Sequence, residues 1–159
     1  MKYAIALLTL FAALSCTHAG DFVQVGQKVP TYKLPDQHGK IVSADRETKA
    51  VVICYAMDQS KMLNTWMSDA GKDLLAENHV HYISDISPMP APITKMFALP
   101  KMQKYNFQII LNRNDDFKKR YPNREGYLTV LKLEDKKVTA IDFVKTLAEL
   151  KEKLGLETR

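Results

Sequence analysis

Cysteine is almost missing from this chain: Cys16 and Cys54 are the only two in 159 residues, and no Cys-x-x-Cys occurs. Once an N-terminal signal is removed or Cys16 is acylated, Cys54 is the only thiol, which leaves neither an internal disulfide nor a dithiol redox pair. The longest uncharged apolar run, Tyr3 to Leu14, is too short to be a good membrane span. No glycine-rich phosphate loop, no Ser-His-Asp spacing, no internal repeat and no low-complexity tract is present. A strong charge surplus is missing as well. The formal net charge is +5, and the densest basic run, Phe117 to Arg124, follows Asp115 and Asp116 and precedes Glu125. That pattern reads as a solvated helix face, and no nucleic-acid partner is expected.

What is present is enough apolar residue, 46% of the chain, for one domain with an ordinary core. The N-terminus has Lys2, then the apolar run, then small residues, which is the layout of a secretory signal. Two ends fit it. Ala13-Leu14-Ser15-Cys16 resembles a bacterial lipoprotein box, which makes residues 1–15 the signal and Cys16 the lipidated residue. Thr17-His18-Ala19 fits ordinary cleavage after residue 19. Either way the expectation is an exported protein, periplasmic or lipid-anchored to the envelope membrane of a Gram-negative bacterium, touching membrane only through signal or anchor. Residues 20–27 are expected as linker and 28–159 as the domain. Removing the signal takes one lysine from 23 basic residues against 18 acidic, leaving +4.

Along that domain, Tyr32 and Leu34, a Pro35-to-Gly39 turn, then Ile41 and Val42 predict an N-terminal hairpin. Ala50 to Ala56 is apolar on both faces and β-branched, as a central strand covered on both sides should be. From Ser60, placed as cap, apolar residues recur at helical spacing from Met62 through Leu75. His79 to Ile86 predicts a strand, Ser87 to Pro92 a proline-broken loop, and Ile93 to Met102 a helix bent or ended by Pro100. Phe107 to Leu111 predicts a strand and Asp115 to Tyr121 a short helix. Tyr127–Leu133 and Val138–Ile141 predict a hairpin. A last helix is capped by Asp142, with Phe143, Leu147, Leu150 and Leu154 on one stripe and Gly155 as its stop. That order implies an α/β fold, three layers (α/β/α) around a mixed central sheet.

Several phrases resemble the thioredoxin-like superfamily, in its peroxiredoxin and thiol-reductase branch, over roughly Val25 to Leu154. Gly26, Pro30, Tyr32, Leu34, Asp36 and Gly39 resemble its entry pattern. Val51 to Ala56 resembles the strand before its redox loop, and Leu111 to Tyr121 the approach to its last hairpin. The resemblance implies redox cysteines after Ala56, and Met57-Asp58-Gln59-Ser60-Lys61-Met62 stands there instead. Read without a gap, Gln59 and Met62 take the two cysteine positions; with one residue deleted, Ser60-Lys61 takes the second. The cis-proline that the resemblance implies before the penultimate strand is replaced by Tyr127, in Gly126-Tyr127. Small exported proteins of the YtfJ type are similar in their signal, their entry pattern and their missing cysteine pair.

The thiol enzymes of such a fold work because a helix N-terminus favours a thiolate, and an amide, thioether or unactivated hydroxyl cannot replace it. The expectation is therefore a non-catalytic binding or accessory module of the cell envelope, with no cofactor and with an envelope protein or peptide as partner. Its groove would be formed by Met57, Asp58, Gln59, Ser60, Lys61, Pro90, Gly126 and Tyr127. Asp58 reads either as a ligand contact or as a residue satisfying the helix's first amides. Asp85 reads either as a ligand contact or as the start of a loop. The alternative is a monothiol oxidoreductase or peroxidase using Cys54, against which stands its place inside a buried strand. His79 and His81 would share one face of a strand and are the weak metal candidates, with His79 also fitting the turn before it.

Overall fold

The computed structural model describes residues 22–71 and 73–156. The signal and lipidation expectations, Cys16 included, lie outside the described residues.

Two short strands, β1 (Leu34–Pro35) and β2 (Ile41–Val42), form the expected antiparallel hairpin. Its turn is held by Asp36, whose Oδ1 accepts from the amides of His38 and Lys40, both at 2.9 Å. Gly39 supplies the left-handed backbone there, at φ 87°. The main sheet contains β3 (Ala50–Cys54), β4 (Val80–Asp85), β5 (Ile110–Asn112), β6 (Leu128–Glu134) and β7 (Lys137–Val144), in the order β5-β4-β3-β6-β7. β3 runs parallel to β4 and antiparallel to β6, so the sheet is mixed and β3 is central. All five of its residues are buried, the two-faced burial that its unbroken apolar run requires.

Alternation along β3 builds two apolar layers. Val52 and Cys54 face Leu63, Met67 and Leu150, carried by α1 (Met57–Ala70) and α6 (Leu147–Leu154). Val51 and Ile53 face Phe117 and Tyr121, at α5 (Phe117–Arg120), and the N-terminal segment through Val23 and Tyr32. The result is three layers, helix on sheet on helix.

Several boundaries differ from expectation, each for a local reason. Helix α1 starts at Met57 with Ala56 as an uncapped N-cap, so Ser60 is not the cap and Asp58 bonds none of the first amides. The helix stops at Gly71, φ 101°, and a separate turn, α2 (Leu74–Glu77), carries Leu75. His79 sits in the turn with φ 55°, so strand alternation does not align it with His81. Pro100 does not end its helix: α3 (Ala91–Ile93), a π-helical turn (Thr94–Ala98) and α4 (Leu99–Met102) are continuous. The Leu99 amide bonds to Thr94 O, five residues back, and this wide turn absorbs a proline whose ring would crowd the Met96 carbonyl in a regular helix. β5 lies three residues later than the strand placed at Phe107. Asp142 belongs to β7, and the last helix is capped by Thr146 in a full capping box with Glu149, Gly155 closing it at φ 67°. Within the expected linker, Val23 is buried and its amide bonds to Arg120 O, while the Gly26 amide bonds to Val138 O, so this segment is tied to the domain at those two points.

Candidate functional site

The carboxyl ends of β3 and β4, the first turns of α1 and the segment from Pro88 to Tyr105 enclose a groove of about 630 Å³. Such a strand-end crevice is where α/β folds commonly bind ligands. Cys54, Tyr55 and Ala56 enter from β3, and Ser84, Asp85 and Ile86 from β4. One wall is the helix face bearing Met57, Ser60, Lys61, Asn64, Thr65 and Ser68. The opposite wall is Pro88, Met89, Pro90, Ile93, Ala98 and Met102.

Of the residues expected to form a groove, the structure therefore brings together Met57, Ser60, Lys61 and Pro90. Asp58 points outward and lies 3.9 Å from Lys61 Nζ, both side chains largely in solvent. Gln59 turns to the other flank, where its Nε2 donates to Gly126 O at 2.8 Å. Tyr127 is on that flank too, its ring under the Arg124 guanidinium at 4.1 Å. Between the two readings of the cysteine positions, the one that involves Ser60 and Lys61 is the one whose residues reach the groove; Met62 packs against the core.

The chemistry available in the groove is limited. Cys54 Sγ is 1% exposed and donates to Ala56 O at 3.2 Å. Burial pushes its pKa up to about 11, the reverse of what a nucleophilic thiol needs. The Ser60 hydroxyl is shared with Tyr82 Oη at 3.3 Å and accepts from Asn64 Nδ2 at 3.3 Å. Neither neighbour is a base able to activate it, since burial holds the Tyr82 phenol protonated well above its ordinary range. The Asp85 carboxylate is held inside the fold. Its side chain is fully buried, Oδ1 accepts from Asn112 Nδ2 at 2.8 Å and from the Ser87 amide at 3.1 Å, and Lys118 Nζ stands 3.1 Å from Oδ2. That ammonium is close enough for an ion pair but off the hydrogen-bond angle, leaving Oδ2 without a hydrogen-bond donor. The basic run is absorbed in the same way: Lys119 pairs with Asp116 at 2.7 Å and Arg120 Nη1 donates to Thr31 O at 3.1 Å.

His81 Nδ1 lies 2.6 Å from Tyr32 Oη, and burial lowers the imidazole's pKa although Asp45 acts in the other direction. Among the described residues no group of three or more His, Cys, Asp or Glu side chains is placed to hold a metal ion.

Sequence reasoning missed the α1 face of Asn64, Thr65 and Ser68, and also Lys101, Met102 and Tyr105. A polar helix face that walls a groove carries the same signal as one facing water.

Solved structures similar to this chain include proteins described as thiol-disulfide oxidoreductases and as peroxiredoxin-like. A peroxiredoxin-like protein from Aquifex aeolicus matches at 10% identity and TM-score 0.55, over 85% of this chain and 88% of that one. A proposed DsbE-type thiol:disulfide interchange protein from Chlorobium tepidum matches at 15% identity and TM-score 0.59, over 84% and 96%. StoA from Bacillus subtilis matches at 14% identity and TM-score 0.55, over 80% and 97%. No protein-family model and no curated protein sequence matches the chain. The fold is thioredoxin-like, with a mixed five-stranded central sheet and a separate N-terminal hairpin. Identity this low carries the fold and none of the chemistry.

Proposed function

We propose that this chain is a non-catalytic binding or accessory module of a cell envelope, close in kind to the YtfJ type, whose groove accepts an extended segment of a partner peptide or protein. The single observation that carries the reading is the pairing of a preserved strand-end groove with the absence of an activated nucleophile in it. Met57 and Ser60 occupy the first turn of the helix at the groove mouth, and the one thiol lies beneath, buried and held protonated.

The groove suits such a ligand. Ile86, Met89, Ile93 and Met102 offer apolar contact, methionine adapts to varied side chains, and hydroxyls and amides on the α1 face offer hydrogen bonds to a main chain. The test is a titration of methyl-labelled protein with unfolded, extended peptides. Methyl shifts at Met57, Met89 and Met102 that saturate, and that weaken when Ser68 and Thr65 are replaced by lysine, are expected. Saturable binding with those methyls unmoved would place the ligand elsewhere and defeat the reading. A thiol enzyme using Cys54 is the rival, and the buried, protonated sulfur speaks against it.

A further inference from the structure

Beside the groove, and sharing Met57, Ile93 and Lys101 with its lining, the face that carries the Pro88-to-Tyr105 wall has a charge pattern of its own. From Ile86 to Asn114 the sequence contains Lys95, Lys101, Lys104 and Arg113 and not one aspartate or glutamate. Along the continuous helix from Ala91 to Met102, Ile93, Met96, Phe97 and Pro100 are all exposed, Met96 and Phe97 within the π-helical turn. That face is turned to solvent: Met96 is 67% exposed, Phe97 63% and Ile93 46%. Met57, on the other lip of the groove, is exposed to the same degree as Met96. Lys95, Lys101 and Lys104 are exposed on the same segment. Asp58, in the first turn of α1, has Lys61 beside it at 3.9 Å.

Water is a poor neighbour for a clustered phenylalanine, two methionines and an isoleucine, and a patch of this sort marks an interaction surface. Two occupants fit badly. A second copy of the same face would bring lysines against lysines. A peptide in the groove would leave Met96 and Phe97, which lie outside its lining, uncovered. Apolar side chains standing out from a helix between lysines, with no acid along the segment, match the interfacial layer of a membrane: lipid phosphates for the ammonium groups and acyl boundary for the apolar tips.

We propose that this face docks on the surface of an anionic lipid bilayer, Met96 and Phe97 entering the headgroup layer while Lys95, Lys101 and Lys104 lie against phosphates. It is a contact separate from any that the N-terminal segment makes, and it is independent of the groove reading, because a chain with an empty groove would dock in the same way.

The experiment uses the full chain carrying F97W beside the wild type, so that the difference spectrum reports the indole at position 97 against the background of Trp66. Vesicles of phosphatidylcholine, with and without phosphatidylglycerol, carry brominated acyl chains as the quencher. The expected result is a blue shift and quenching at position 97 on phosphatidylglycerol vesicles only. Replacing Lys95, Lys101 and Lys104 by glutamine is expected to weaken that binding about 100-fold, at about 1 kcal/mol for each lysine near an anionic surface. If the chain sediments with the vesicles while the indole at 97 stays unquenched, binding is through the N-terminal segment alone and the proposal falls. Equal quenching on both lipids, unchanged by the glutamine substitutions, also overturns it. So does a shift produced by polyglutamate and not by vesicles, which would make the face a docking surface for an acidic protein.

Discussion

Alkylation of Cys54 gives the reasoning a number to meet. The thiol's pKa moves from an ordinary value of 9.0 to about 11, because burial disfavours the thiolate. At a working pH of about 7.5 the two units lower the reactive fraction about 100-fold, from about 3% to about 0.03%. The side chain is also only 1% exposed, so the reagent must wait for a local opening of the strand end, which slows the native reaction further. The assay is iodoacetamide labelling of the intact protein, native and in guanidinium, with tryptic peptides resolved by mass. The peptide Ala50–Lys61 carries Cys54 and separates it from Cys16. The expected native rate is at least about 100-fold below the denatured one. A native rate within about tenfold of the denatured rate would show an accessible, ionisable thiol and refute the argument from burial.

Other consequences follow from the same contacts. Tyr32, Tyr55, Tyr82 and Tyr121 are all pushed above the ordinary phenol range by burial, as Cys54 is above the thiol range. Groups with raised folded-state pKa values contribute their stability fully below the unfolded values and lose it as pH rises. Cys54 alone should then cost about 2–3 kcal/mol between about pH 9 and 11, and a guanidinium midpoint that stays flat across that window would contradict it. The buried Gln37 side chain donates to Phe107 O at 2.7 Å and accepts from the Ile109 amide at 2.9 Å. Gln37→Ala should lower the unfolding free energy by about 2–4 kcal/mol, since both backbone partners lose their bond out of reach of water; a loss under about 1 kcal/mol in chemical denaturation would show that the loop re-pairs. Thr146→Ala should cost about 1 kcal/mol and Thr146→Ser much less, read by the same denaturation, because only the first removes the cap oxygen.

How far the sequence reached depends on where local pattern and tertiary pairing agree. The central strand was legible because only a two-sided burial explains Ala50 to Cys54, and the hairpin because Asp36 and Gly39 set its turn. The strand placed at Phe107 is displaced because Phe107 and Ile109 do bury, but with backbone bonds to Gln37, some seventy residues earlier, in place of a ladder. Asp142 looked like a helix cap until Leu128 paired with Val144 and drew it into β7; the true cap, Thr146-x-x-Glu149, was in the sequence all along. The π-helical turn follows no 3.6-residue period and so leaves no trace in one. At the site, the missing cysteines were plain from the residues. Which side chains turn into the groove was not, since the start of α1 at Met57 fixes the helix phase that sends Gln59 to Gly126 and Ser60 to the groove.

We propose that this thioredoxin-like fold works without thiol chemistry. The most direct measurement is steady-state turnover of the full chain, in insulin-disulfide reduction and in peroxide consumption, beside Cys54→Ser. The account predicts that the wild type and the variant both run at the blank rate. Turnover well above the blank in the wild type, lost in the variant, would contradict it and make Cys54 a catalytic residue.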